Sequence, residues 1–224
     1  MKSEIWDNES TVKAFTTGYD LKNIDLFDEQ CEKLLRAVLF ENSLIDKKFS
    51  DSIDNLEKAN FLILNENTSS LYDCLRNIKI GNVRIAARVF RDTLENMHIL
   101  ELLNNSGNNK YLNLWYSNEV ISHGDYRDWI KKTNSELSEL TRVIYRLYSK
   151  YAHRTYKTIL ENYEIENGFL KFNYHLDRTE EYHRKLLSRY YSHLSYFVLK
   201  TILNYRDYNV HSITAMSRIA EDWL

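Results

Sequence analysis

The sequence predicts an all-α protein, an antiparallel up-down helical bundle, and three observations carry that expectation. The 224 residues contain no proline and only 5 glycines, whereas sheet-rich folds need many turns and turns recruit both. Apolar residues recur at helical spacing along most of the chain. Hydrophobic residues make up 43% and charged residues 28%, enough apolar matter for one core and far from a disordered composition. The length fits one domain. It divides into an N-terminal arm over 1–24, a core bundle over 26–162 and C-terminal helices over 178–224.

Residues 1–24 show weak periodicity and read as an arm or a short helix. Asp25, Asp28, Glu29 and Glu32 crowd the start of the next pattern, where the positive end of a helix dipole favours acids. Cys31, Leu34, Leu35, Val38, Leu39 and Ile45 then supply the apolar face of a helix over 26–48. A second helix is expected over 51–65. A third carries Leu71, Cys74, Leu75 and Ile78 and stops near Gly81. The fourth, over 82–104, has the clearest pattern, with Val83, Ala86, Ala87, Phe90, Leu94 and Met97 on one face. A polar loop, Asn104 to Asn109, precedes an aromatic-rich helix over 109–132 that holds Trp115 and Trp129 and can break at Gly124. The fifth major helix spans 135–162, with Leu137, Leu140, Ile144, Leu147 and Tyr151 as its core line. Asn167-Gly168 sits between two alternating runs, the strongest short signal for a β-hairpin, here around 163–174. A long helix over 178–205 turns Leu186, Leu187, Tyr190, Leu194, Phe197 and Ile202 inward, and a short one is expected over 212–223.

The formal net charge is −2, which argues against a surface coated throughout by nucleic acid but permits a local basic site. Cys31 and Cys74 are far apart and lack metal-ligand spacing, so packing thiols in a reducing compartment are expected. The first ten residues have no apolar signal-peptide core, and no apolar run reaches the roughly 18 residues that span a bilayer. The expectation is a cytoplasmic protein without a membrane partner. No glycine-rich phosphate or dinucleotide fingerprint is present, and no cofactor or metal is expected.

Polar stripes on two helices draw attention. At about 100° per residue, Arg84, Arg88, Arg91, Glu95 and His98 share one side of the fourth helix, away from Phe90. Arg142, Arg146, Ser149 and His153 share one side of the fifth. From Arg142 to Leu160 there are five basic residues (Arg142, Arg146, Lys150, Arg154 and Lys157) and no acid. Tyr145, Tyr148, Tyr151 and Tyr156 interleave with them. Cations follow phosphates and aromatic faces stack bases, so this mixture suits single-stranded nucleic acid. The plainer reading is two solvated faces and half-buried packing tyrosines.

The segment Arg146-Leu-Tyr-Ser-Lys-Tyr-Ala-His153 resembles the Arg-x(4–6)-His motif of HEPN domains, all-α domains named for higher eukaryotes and prokaryotes and for nucleotide binding. Its Ser149-to-His153 string is similar to a form found in bacterial HEPN-like proteins. In that group an earlier helix carries an Arg…Glu pair, matched here by Arg88-x6-Glu95. The resemblance spans about 66–155. Arg91…His98, Arg178…His183 and Arg206…His211 also match the bare spacing. Arg206 is followed by a polar residue, as in many active members, whereas Arg146 is followed by Leu147. Arg146…His153 is preferred because it lies on a strongly periodic helix inside the basic island. The resemblance implies a metal-independent endoribonuclease of a toxin–antitoxin or antiphage (abortive-infection) system. In that role His153 would serve as acid or base on an RNA 2′-hydroxyl and Arg146 would hold the phosphate. Arg88, Arg91, Glu95, Arg142, Ser149 and Lys150 would contact substrate. Members dimerise across such a site, so a homodimer is expected, with a partner protein of the same defence system conceivable. The alternative is a non-catalytic HEPN-like binding or scaffold subunit.

Two further constellations are weaker. Glu95-x-x-His98 and Glu180-x-x-His183 have the spacing of a di-iron carboxylate bundle, but Arg84, Arg88 and Arg91 beside Glu95 would repel a cation. His123, in Ser-His-Gly-Asp, sits at an expected helix end and reads first as a turn residue, second as an aid to a site. Trp6, Trp115, Trp129 and Trp223 read as core or interface anchors.

Overall fold

A computed structural model describes residues 49–79, 83–107, 109–153, 155–160, 163–172, 180–208 and 210, together with 32, 33, 35, 36, 38–40, 42 and 43. From residue 49 on, the described residues form seven helices and one two-stranded sheet. They are α1 (Leu56–Lys79), α2 (Val83–Asn105), α3 (Lys110–Tyr116), α4 (His123–Thr133), α5 (Ser135–Ala152), α6 (Tyr156–Leu160), β1 (Tyr163–Glu166), β2 (Phe169–Phe172) and α7 (Glu180–Asp207). The described residues between 32 and 43 are helical too, with Leu35 and Val38 buried as their spacing predicts. The expected arm over 1–24 and the helix over 212–223 lie outside the described residues.

Helix α2 is the centre of the molecule. It packs against α1, α5, α7 and α4, and its predicted face of Val83, Ala86, Ala87, Phe90, Leu94 and Met97 is buried throughout. Phe90 stacks on Phe197 at 5.1 Å and meets Tyr148 at 5.4 Å and Tyr190 at 6.3 Å, which ties α2 to α5 and α7. Burial of one such ring contributes roughly 1.5–3 kcal/mol. On α7, Tyr190, Leu194 and Phe197 are inward as expected, and Ile202 is half-buried.

The second and third expected helices are one helix, α1. The polar run Asn65 to Ser70 reads as a break, yet Asn67 and Thr68 are buried in its middle. The Thr68 hydroxyl and the Asn67 side-chain oxygen have partners there, while Asn67 Nδ2 is buried without one among the described residues. Thr68 Oγ1 donates back to the Leu64 carbonyl at 2.8 Å, and Asn67 Oδ1 accepts from Asn96 Nδ2 at 2.9 Å. Asn60 and Asn104 exchange amide hydrogen bonds at 2.9 and 2.8 Å. These two pairs hold α1 antiparallel to α2 and pin their register, because any slip would strand buried amides.

Two other boundaries differ. The expected helix over 109–132 is α3 and α4, separated not at Gly124 but by residues 117–122, where Asn118 adopts φ 59°. The expected helix over 135–162 ends at Ala152 and resumes as the short α6. Along α5, of the expected core line, Tyr151 is buried, Ile144 and Leu147 are half-buried, and the side chains of Leu137 and Leu140 lie outside the described residues. Thr141 and Tyr148 are buried as well, because α5 packs against both α2 and α4. The hairpin is present. Tyr163 pairs with Phe172 and Glu166 with Phe169, and Asn167 (φ 52°) with Gly168 (φ 83°) makes the two-residue turn. No described helix is long and apolar enough to cross a membrane.

Candidate functional site

Where α4 crosses the space between α2 and α5, a cleft of about 220 Å³ opens. Its local cause is the Ser122-x-x-Asp125 sequence. Ser122 caps α4: its hydroxyl oxygen accepts from the Asp125 amide at 3.1 Å, and its hydroxyl donates to the Asp125 carboxylate at 2.7 Å. That bond, with Lys110 nearby and Tyr111 O–H donating at 3.3 Å, holds the Asp125 carboxyl below its usual range. The cap starts the helix at His123, so His123, Tyr126, Arg127 and Ile130 recur on the side that faces the cleft.

The cleft has an uncharged floor and a cationic rim. The floor is buried His98 from α2, Tyr126 and Ile130 from α4 and Thr141 from α5. The rim is exposed Arg127, Arg142 and Arg146. Arg142 is held by Glu139, its Nε on Oε2 at 2.7 Å, and Arg127 lies 3.7 Å from Asp128. Arg146 has no ion pair among the described residues.

Aromatic rings run from floor to wall. His98 and Tyr126 are 5.5 Å apart between centroids, Tyr126 and His123 5.1 Å, and His123 and Tyr145 4.4 Å. Arg91 braces the far end. Its Nε donates to Glu95 at 2.9 Å, its Nη2 donates to Tyr145 Oη at 3.1 Å, and the guanidinium lies over the Tyr145 ring.

His98 is 7% exposed, and neither ring nitrogen has a hydrogen-bond partner among the described residues. Burial and the neighbouring His123 push its pKa down to about 4, so the imidazole is neutral at physiological pH. Burial and Arg127 also lower the pKa of half-buried His123. Desolvation raises that of the Tyr126 phenol.

The sequence-derived residues fall in four places. Arg142 and Arg146 line the cleft. Arg91 and Glu95 stand behind its Tyr145 wall. Arg88 and Ser149 are half-buried, with Arg88 Nε and Ser149 Oγ buried and without partner among the described residues. Lys150 and His153 are exposed and do not line the cleft. His153 is one residue past α5, but its amide still donates to the Ser149 carbonyl at 2.9 Å, so the helical step from Arg146 is kept. The stripe of α2 is not a solvated face. Arg84, Arg88, Arg91 and Glu95 are half-buried and His98 is buried, because α4 and α5 lie over that side. Of the competing pair, the side chain of Arg206 and all of His211 lie outside the described residues, as does the side chain of His183. Among the described residues no cluster of three or more potential metal ligands occurs.

Sequence reasoning did not single out Tyr126 or Arg127, read His123 first as a turn residue and only second as an aid to a site, and placed His98 in the polar stripe of its helix without making it a preferred site residue. The Ser-x-x-Asp cap that begins a helix at His123 was the available signal. No family model, curated protein or solved structure matches this chain.

Proposed function

We propose that this protein is a HEPN-like, metal-independent endoribonuclease that holds an RNA phosphodiester at the rim of the α2–α4–α5 cleft. The observation that carries this reading is the convergence of Arg127, Arg142 and Arg146 on one cleft whose interior holds two imidazoles. Guanidinium groups suit a phosphate and the extra charge of its transition state. The expected reaction is attack of the ribose 2′-oxygen on phosphorus. An imidazole takes the hydroxyl proton, the P–O5′ bond breaks, and the 5′-oxygen leaves protonated, with a 2′,3′-cyclic phosphate as the other product. His153, two turns beyond Arg146, is the proposed acid–base group. Exposed Val143, on the same helix as Arg142 and Arg146, supports a homodimer seam along α5 that brings His153 of a second copy to the cleft. A role in a toxin–antitoxin or abortive-infection system is the setting we propose for such an activity.

The test is incubation of end-labelled single-stranded RNA with the purified protein in a chelator. Cleavage to 2′,3′-cyclic phosphate and 5′-hydroxyl ends is expected, lost in Arg146→Ala and in His153→Ala. Mixed Arg146→Ala and His153→Ala subunits should regain part of the activity if each site uses both copies. RNA that is bound but stays intact would favour the non-catalytic binding subunit. RNA that is neither bound nor cut would overturn both.

A further inference from the structure

We propose that the cleft interior seats one unpaired nucleobase, stacked on the His123–Tyr126 ring wall and read at its edge by the His98 imidazole, while the rim arginines hold the adjoining phosphate. The substrate class rests on the RNA reading above; the subsite itself rests on the geometry of the floor. Three observations carry it.

The first is size. A cavity of about 150 Å³ accepts one benzene, so about 220 Å³ has room for one heteroaromatic base and not for a base pair. Duplex RNA would have to expose a base to enter.

The second is the division of charge. All three arginines of the cleft are exposed on the rim, and the floor of His98, Tyr126, Ile130 and Thr141 is uncharged. A phosphate driven to that floor would lose its hydration without meeting a cation. A neutral base loses far less and gains ring contacts there.

The third is the unpartnered His98. Buried polar groups in folded proteins have partners, and both ring nitrogens here lack one among the described residues. A neutral imidazole offers one donor and one acceptor. Base edges carry the same two kinds of group, so either nitrogen can be satisfied by a base and neither requires a charge. Around it, the His98–Tyr126, Tyr126–His123 and His123–Tyr145 contacts of 5.5, 5.1 and 4.4 Å form a wall of rings, tilted at the first and last contact and edge-to-face at Tyr126–His123, so a base stacks on the face of one ring and meets the edge of the next. The Arg91 fork to Glu95 and Tyr145 keeps that wall in place.

The experiment compares an RNA oligonucleotide with an abasic ribose–phosphate strand of equal length and charge. Base stacking contributes about 1–3 kcal/mol per base, so the RNA should bind about tenfold more tightly or better. That advantage should vanish in His123→Ala, which removes a stacking ring, and shrink in His98→Ala, which removes the edge contact. Should His98→Ala not fold, imidazole NMR of the unaltered protein still decides. A nucleoside 5′-monophosphate should shift the His98 ring signals, and ribose 5-phosphate or inorganic phosphate should not. Equal affinity for the two strands with no shift at His98 would sink the subsite and leave the RNA reading standing. A mononucleotide shift at His98 without binding of any RNA strand would keep the subsite and sink the RNA reading. A shift of His98 by inorganic phosphate alone would overturn the division between floor and rim.

Discussion

Acidification should destabilise this protein through His98, by an amount that follows from its burial. In the unfolded chain a histidine titrates near 6.5. In the fold, burial and His123 bring His98 to about 4. Between those values the unfolded state binds the proton and the folded state refuses it, so stability falls as pH drops through that window. It is fully present above about 6.5. Each unit of difference corresponds to about 1.36 kcal/mol, so the roughly 2.5-unit gap amounts to about 3.4 kcal/mol below pH 4, and to about 2 kcal/mol at pH 5. The perturbation is His98→Gln, which keeps a polar side chain but has no titrating ring. Urea unfolding at pH 7.5 and pH 5 should show the unaltered protein losing about 2 kcal/mol more than the variant. His193, whose pKa burial and Arg189 also lower to about 4, titrates in both proteins and cancels in the difference. Equal losses in the two proteins, or His98 ring signals that titrate near 6.5, would refute the argument.

Phe90→Ala should cost about 3–5 kcal/mol in urea unfolding, because the ring is fully buried among Tyr148, Tyr190 and Phe197. Asn104→Ala should cost about 1–3 kcal/mol by stranding the Asn60 amide, and the double change Asn60→Leu with Asn104→Leu should recover most of that loss. Gly168→Val places a β-branched residue at φ 83° and should abolish the cross-strand NMR contacts of the hairpin. The helical circular dichroism should stay unchanged, since among the described residues the hairpin's main helical neighbour is the short α6.

Particular residues mark where the sequence was legible. Phe90 and its α2 neighbours repeat at 3.6 residues on a helix buried along its length, so periodicity reported them correctly. Asn167-Gly168 was legible because few residue pairs tolerate two successive left-handed conformations. Asn67 was illegible, since a buried amide looks polar in sequence until Asn96 is seen to donate to its oxygen. The α2 stripe misled for the same reason. Arg91 and His98 look like an outer face on one helix, and only the arrival of α4 and α5 makes that side interior. His123 looked like a turn residue because two of its neighbours in the cleft, His98 and Tyr145, come from other helices about which its own segment says little.

Local chemistry alone determined that this chain is helical, where its strongest helix runs, and where the 163–172 hairpin turns, because each depends on spacing within a few residues. Which polar side chains became a site was decided only by packing. Helix α4, started by the Ser122 cap, crosses α2 and α5 so that it closes over His98 and leaves the arginines of α4 and α5 on the rim. The depressed basicity of His98 is a product of that enclosure, since desolvation acts on a group only once other helices have taken the water away.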